Sequence, residues 1–255
     1  MLNLTFLGTG TSQGVPIIGC RCYVCRSEDQ KDKRLRSSVL IRNENISFVI
    51  DAGPDFRYQM LREKVDSLDA IVLTHEHRDH IAGLDDVRAF NYIQKRAMDV
   101  YGEKRVLEEV RNQFMYAFDD DKYPGVPSII LNAIDEKEFE IQGLPIIPIR
   151  AMHYTLPILG FRIGDLTYIT DASFISDSEK RKFSDTKILI INALRKEEHV
   201  THFNLAQALQ LAKEISPQKT FLTHISHQMG KYEDVNRELP ANILLAYDGM
   251  NIDFD

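Results

Sequence analysis

The segment Thr74-His75-Glu76-His77-Arg78-Asp79-His80 puts three imidazoles and two carboxylates into one short turn. It follows the apolar run Ala70-Ile71-Val72-Leu73, whose length and composition read as a buried strand. The cluster therefore sits on a loop at that strand's carboxyl end. Neutral imidazole nitrogen and carboxylate oxygen are the donors that suit zinc, manganese or iron. A solvated polar turn is the plain alternative. Histidines crowded this closely repel one another once protonated, however, and a cation removes that cost. The turn reads as a metal site.

Further donors recur behind apolar runs. His153 follows Ile146 to Ile149, Asp171 closes a strand over Leu166 to Thr170, and His224 follows Thr220 to Leu222. Side chains at the carboxyl ends of core strands converge when those strands share a sheet edge. A lone histidine is more often a satisfied core or surface residue, but beside the cluster it reads as a ligand. His75, His77, Asp79, His80, His153, Asp171 and His224 are too many for one tetrahedral ion and fit two. Asp171, with two oxygens, is the natural bridge between cations ~3.5–4 Å apart. Asp51, just past the run Ile46 to Ile50, is placed to orient a neighbouring ligand.

All three cysteines fall together, as Cys20, Cys22 and Cys25. An extracellular disulfide framework would be even in number and spread along the chain. A tight C-x-C-x-x-C group in a cytoplasmic protein fits zinc thiolate, although no fourth ligand lies nearby in sequence. The alternative is three reduced thiols on a loop. The glycines of Gly8-Thr9-Gly10-Thr11-Ser12-Gln13-Gly14 match no phosphate-cradling motif and suit close backbone approach near a site.

The elements that must position these groups alternate between strand and helix. Leu2 to Leu7 reads as a strand, and Ser38 to Ile41 with Ile46 to Ile50 as a hairpin through Asn43-Glu44-Asn45. Asp55 is placed to cap a helix over Phe56 to Glu63, and helical spacing recurs over 85–94 and 103–118. A loop is expected over 119–127. Strands follow at Glu138 to Ile141, Leu144 to Ile149, Ile158 to Ile163, Leu166 to Thr170 and Lys187 to Ile191, with a hairpin turn at Gly164-Asp165. Asn204 should cap a helix running to Ile215. No repeat or linker divides the chain, so residues 1–255 are expected to form a single domain. A second series of strands begins near 130–140, giving two facing sheets covered by helices.

At 255 residues the chain can bury a substantial core, and 44% hydrophobic with 27% charged residues is ordinary for a soluble globular protein. A net charge of −7 argues against a broad nucleic-acid surface. It does not argue against a small anionic substrate, because bound cations set the local sign. No run approaches the ~20 apolar residues of a membrane span, and the first residues lack the basic region of a signal peptide. The cytoplasm is the expected compartment.

The turn from Thr74 to His80, with Gly83, resembles the H-x-H-x-D-H signature of the metallo-β-lactamase superfamily. Phe6-Leu7-Gly8-Thr9-Gly10-Thr11-Ser12, Asp51-Ala52-Gly53-Pro54-Asp55-Phe56-Arg57 and the cysteine loop are similar to its branch of cyclic phosphate phosphodiesterases. The resemblance implies an α/β fold, an αββα sandwich of two facing mixed β-sheets flanked by helices. It implies that His75, His77 and His153 hold one divalent ion, zinc or manganese, that Asp79, His80 and His224 hold the other, and that Asp171 bridges them. It implies a structural zinc on Cys20, Cys22, Cys25 and His227, and a homodimer. His202 is similar to the family's catalytic histidine, a general acid beside the catalytic ligand Asp79. Arg57 and Arg88 are candidate phosphate contacts, and His199 has no clear counterpart. The expected activity is hydrolysis of a small, cyclic phosphodiester by water that the two cations activate. A tRNA 3′-processing endonuclease is the first rival, though no protruding Gly/Pro-rich arm is evident. A thioester or lactam hydrolase and a metal-binding scaffold are further alternatives.

Overall fold

In the computed structural model, residues 1–121 and 123–255 are described; Lys122, in the loop expected over 119–127, lies outside the described residues. The first half runs β1 (Leu2–Gly8), β2 (Ser38–Arg42), β3 (Ser47–Ile50), α1 (Phe56–Arg62), β4 (Ala70–Val72), α2 (Arg78–Ile81), α3 (Arg88–Gln94), β5 (Met98–Glu103), α4 (Lys104–Gln113) and β6 (Ile129–Ile134). The second half runs β7 (Phe139–Ile141), β8 (Leu144–His153), β9 (Leu156–Ile163), β10 (Leu166–Ile169), α5 (Asp177–Lys180), β11 (Ile188–Asn192), α6 (Leu205–Ile215), β12 (Lys219–Thr223) and α7 (Tyr232–Glu238). It closes with β13 (Ile243–Leu245) and β14 (Asn251–Phe254).

The strands form two seven-stranded mixed sheets, ordered β14-β1-β2-β3-β4-β5-β6 and β13-β12-β11-β10-β9-β8-β7. The division between sheets falls between β6 and β7, inside the interval where the second series was expected. Period-two alternation builds the layers. Val39, Ile41, Phe48, Ile50, Ala70 and Val72 of one sheet face Phe161, Tyr168, Ile190 and Phe221 of the other. Their neighbours Leu40, Val49 and Ile71 turn outward under α1, α3 and α4, packing with Phe56, Phe90 and Val106. On the opposite side Leu189, Ile191 and Leu222 lie under α6, against Ala208 and Leu211. This is an αββα sandwich.

Four sequence expectations are corrected. Strand β5, unread because helical spacing dominated its surroundings, pairs in parallel with β4 and β6. The helix expected over 103–118 ends at Gln113 and gives way to a 3-10 turn at Met115–Ala117. His153 is the last residue of β8, not a residue beyond a strand that stops at Ile149. Asp55 stands at the N-cap of α1 but makes no capping bond. Its carboxylate instead accepts from the backbone N–H of Arg36 at 2.9 Å and from the Arg36 guanidinium at 3.0 Å. Asn204, in contrast, forms a full capping box with Gln207.

Candidate metal centre

The parallel strands end level with one another: Ile50 pairs with Val72, Ile169 with Ile191 and Ile191 with Leu222. Everything just past those residues is carried to one edge of the sandwich, where open α/β sheets hold ligands. Three of the residues there leave the strand with a left-handed backbone: Asp51 (φ 66°), Asp171 (φ 60°) and His224 (φ 54°). Such a conformation costs of order 1–3 kcal/mol for a side chain with a Cβ. It turns each donor sharply out of its strand and toward the same point. The turn carrying Asp79 is pressed close by Gly53, where a Cβ would lie 1.9 Å from the Asp79 carbonyl oxygen.

Six imidazoles close into a ring. The ring-centre separations are 4.6 Å from His75 to His77, 5.1 Å on to His153, 4.6 Å to His202 and 4.8 Å to His224. His224 lies 6.4 Å from His80, which lies 4.1 Å from His75. Asp171 is bounded by this ring, with Oδ2 3.2 Å from His224 Nδ1 and 3.5 Å from His80 Nε2, and Oδ1 3.2 Å from His202 Nε2. Asp79 Oδ2 is 3.2 Å from His80 Nε2.

A neighbouring oxygen takes one nitrogen of several rings. His75 Nδ1 lies 2.9 Å from the Thr74 hydroxyl, which itself donates to Asp51; His80 Nδ1 lies 2.7 Å from Asp51 Oδ2; His153 Nδ1 donates to the Thr201 carbonyl at 2.8 Å. The other nitrogen is left facing the carboxylates. His80 Nε2 is buried and has no hydrogen-bond partner. His75 Nε2 and His77 Nδ1 approach to 3.1 Å, close to the separation of two nitrogens each ~2.0–2.1 Å from one tetrahedral zinc.

Electrostatics agree with this donor set. Burial, then the charge of His80, holds His75 well below the ordinary imidazole value, and burial pushes His224 down to about 3. Burial also opposes charge on His80, yet Asp51, Asp171 and Asp79 outweigh it and raise its pKa well above normal. Asp171 and Asp79 are lowered because the neighbouring histidines overcome the burial that would raise them. The carboxylates thus demand positive charge at this point, which a proton on His80 or a divalent cation can supply. The residues fit a metal.

The second cluster is the cysteine loop. Sγ of Cys20, Cys22 and Cys25 lies 3.3, 3.4 and 3.5 Å from Nδ1 of His227. Zinc at ~2.3 Å from sulfur and ~2.0 Å from nitrogen, with tetrahedral angles, separates the two donors by roughly 3.5 Å. Burial opposes the thiolate form of Cys22 and Cys25. Amide and His227 contacts nevertheless bring Cys22 down to about 6, while burial drives Cys25 up to about 11.

The structure brings together every expected ligand, with Asp51 behind His80 and His202 beside Asp171. The donor atoms of His75, His80 and Asp171 lie within 4.8 Å of one another, as do those of His153, Asp171 and His202. It does not bring Arg57 and Arg88 to them. Those side chains line surface grooves on α1 and α3 with Phe90, Ile93 and Tyr92, and Arg88 is paired with Asp85. Sequence reasoning missed the hydroxyls. Thr74, Thr170, Thr201 and Thr223 each directly precede a donor (His75, Asp171, His202 and His224), and that recurring Thr-His or Thr-Asp pair was the available signal. A cavity of about 210 Å³ opens beside His202 and His224, lined by Thr11, Ser12, Gln13, Arg195 and His199 among others.

The sequence pattern of the beta-lactamase superfamily domain matches residues 47–225. Among solved structures, a protein described as a new diphosphatase from the PhnP family is 38% identical, with a TM-score of 0.94 over 100% of this chain and 98% of that one. The chain belongs to the metallo-β-lactamase superfamily, in its PhnP family. Other relatives of this PhnP-family chain carry different names. A Porphyromonas gingivalis protein named octanoyltransferase is 40% identical over 257 residues, covering 100% of this chain and 52% of that protein. A Saccharolobus islandicus ribonuclease Z is 25% identical over 195 residues, 74% of this chain and 57% of that one. The chain therefore spans about half the length of these two relatives.

Proposed function

We propose that this chain is a metal-dependent phosphoric diester hydrolase acting on a small substrate, of the cyclic ribose phosphate or 2′,3′-cyclic nucleotide type. The observation that carries the reading is Asp171, whose two oxygens face His80 and His224 on one side and His202 on the other. His75, His77 and His153 would hold one divalent cation, Asp79, His80 and His224 the other, with Asp171 shared; Cys20, Cys22, Cys25 and His227 would hold a structural zinc. Zinc and manganese both suit the histidine–carboxylate set. A cation pair held by these residues would supply an acidified water and positive charge opposite the phosphoryl oxygens. Asp51 and Thr74 fix the rings of His80 and His75, and Thr201 fixes that of His153. His202, beside Asp171, hands a proton to the departing alkoxide as general acid.

The diphosphatase within the same family supports a second reading, a P–O–P linkage at the same site. The ribonuclease Z relative keeps a tRNA substrate in view, against which the net charge of −7 counts. The octanoyltransferase name raises acyl transfer, as either a thioester or a lactam hydrolase would. The three cysteines, however, are gathered on His227 instead of the histidine ring. We place the protein in the cytoplasm as a single hydrolase domain and homodimer; among the described residues no helix is long and apolar enough to cross a membrane.

The deciding experiment is a turnover panel of 2′,3′- and 3′,5′-cyclic nucleotides, cyclic ribose phosphates, diphosphate diesters, linear diesters, pre-tRNA and an acyl thioester, run with metal analysis. Turnover of the small cyclic diesters, with pre-tRNA and the acyl thioester left intact, is expected. A protein with full metal occupancy that cleaves none of those diesters would overturn the reading.

A further inference from the structure

Six of the eight histidines form the ring and His227 meets the cysteines, which leaves His199 without a part in either cluster. Its position is nonetheless specific. The backbone N–H of Thr201 donates to His199 Nδ1 at 3.3 Å, so that nitrogen carries a lone pair. The Thr201 hydroxyl lies 2.9 Å from the same Nδ1 and therefore donates its hydrogen there. The hydroxyl oxygen is also 2.7 Å from His202 Nδ1. A hydroxyl has one hydrogen, and this one is already engaged, so toward His202 the oxygen accepts. His202 must then carry hydrogen on Nδ1, leaving Nε2, 3.2 Å from Asp171 Oδ1, as the atom that turns to the site.

We propose that His199 and Thr201 are positioning residues that fix the tautomer of His202, so that Nε2 alone exchanges a proton with the reacting oxygen. This rests on the reading of His202 as general acid. In the step itself, an oxygen from water bonds to phosphorus as the P–O bond to the leaving group breaks, and the electron pair of that bond goes to the leaving oxygen. That oxygen takes the hydrogen from Nε2, the N–H pair stays on the ring, and a neutral imidazole remains with hydrogen on Nδ1, accepted by Thr201. With the Thr201 hydroxyl turned the other way, a neutral ring would hold its single hydrogen on Nε2. Releasing that hydrogen would create an imidazole anion, so the ring would be inert as an acid. Asp171 does not prevent that error, because its carboxylate accepts from Nε2–H in the inert neutral ring as well as in the doubly protonated one. The acceptor on His199 is what removes it.

The test uses zinc-loaded protein labelled with ¹⁵N-histidine, at one fixed pH, with His202 resonances assigned by their loss in His202→Gln. Wild type should show a protonated Nδ1 on His202. His199→Phe keeps the ring shape but removes the acceptor. Nδ1 of His202 should then become unprotonated and kcat should fall about tenfold with KM unchanged, a part of the ~10²–10⁴-fold that a positioned acid supplies. His199→Asn, whose side-chain oxygen can accept the same amide two residues on, should recover both the Nδ1 signal and most of kcat. A wild-type His202 lacking hydrogen on Nδ1 overturns the proposal. So does a His199→Phe protein with wild-type kcat, or one whose kcat falls while Nδ1 stays protonated. Failure of the phosphodiesterase reading is separate: wild type would then turn over no diester while the spectra still report the tautomer.

Discussion

Asp51 Oδ2 lies 2.7 Å from Nδ1 of His80, and neither side chain is exposed by more than 1%. The same carboxylate accepts from the Thr74 amide at 2.9 Å and from the Thr74 hydroxyl at 2.9 Å. One buried anion therefore orients two histidines, His80 directly and His75 through Thr74. Asp51→Asn keeps the shape but supplies a donor where an acceptor is needed. Metal affinity should fall about 10–100-fold, as happens when such supporting partners are lost, with the far-ultraviolet spectrum unchanged. Titration with zinc against a competing chelator reads the change, and wild-type affinity would remove Asp51 from the site.

His202→Gln separates an acid from a ligand. If His202 only delivers a proton, kcat on an alkyl phosphodiester should drop by about 10²–10⁴-fold while metal content stays at the wild-type value. A p-nitrophenyl diester, whose leaving group needs no proton, should lose much less. The donor atoms of His202, His153 and Asp171 do lie within 4.8 Å of one another. A fall in metal content in this variant would accordingly mark His202 as a ligand.

Cys22→Ser tests the second cluster. Thiols at 3.3–3.5 Å from one imidazole nitrogen tie the loop around residue 20 to the chain around residue 227. The variant should bind one zinc fewer per chain. A stability loss of about 3 kcal/mol would lower Tm by roughly 6–12 °C in a chain of this size. Unchanged zinc stoichiometry would leave three reduced thiols as the better description.

The donors were legible because chemistry and strand periodicity coincide in them: an imidazole or carboxylate just past an apolar run has few structural reasons to be there. The parallel strands that carry them were legible for the same reason, since runs such as Ile188 to Ile191 are buried on both faces. What was not legible depended on tertiary context. Strand β5, Met98–Glu103, shows buried residues only at alternate positions, and its neighbours in the sheet come from elsewhere in the chain. Asp55 has the sequence of a cap, yet a guanidinium from residue 36 competes for it and wins. Arg57 and Arg88 have the charge that phosphate contacts need, but helical phase turns them onto an outer groove. The tautomers set by Thr74 and Thr201 depend on individual hydrogen bonds that spacing alone does not encode.

The pH dependence of stability should carry the signature of His224. Its folded value is about 3 against 6.5 for a free imidazole, chiefly because burial disfavours its charge. Between those two values the unfolded chain binds a proton at this residue that the folded chain does not. Stability contributed by His224 is therefore fully present above about pH 6.5 and is lost progressively as pH falls toward 3. Asp248, buried and raised to about 6, acts in the opposite sense over part of this range, so the wild-type curve alone cannot isolate the effect. The difference between wild type and His224→Gln can. In metal-free protein, urea midpoints of the two should draw together as pH is lowered from 6.5 toward 3, because the variant has no imidazole to protonate on unfolding. A separation that stays constant across this interval would mean that His224 already carries its proton in the folded chain.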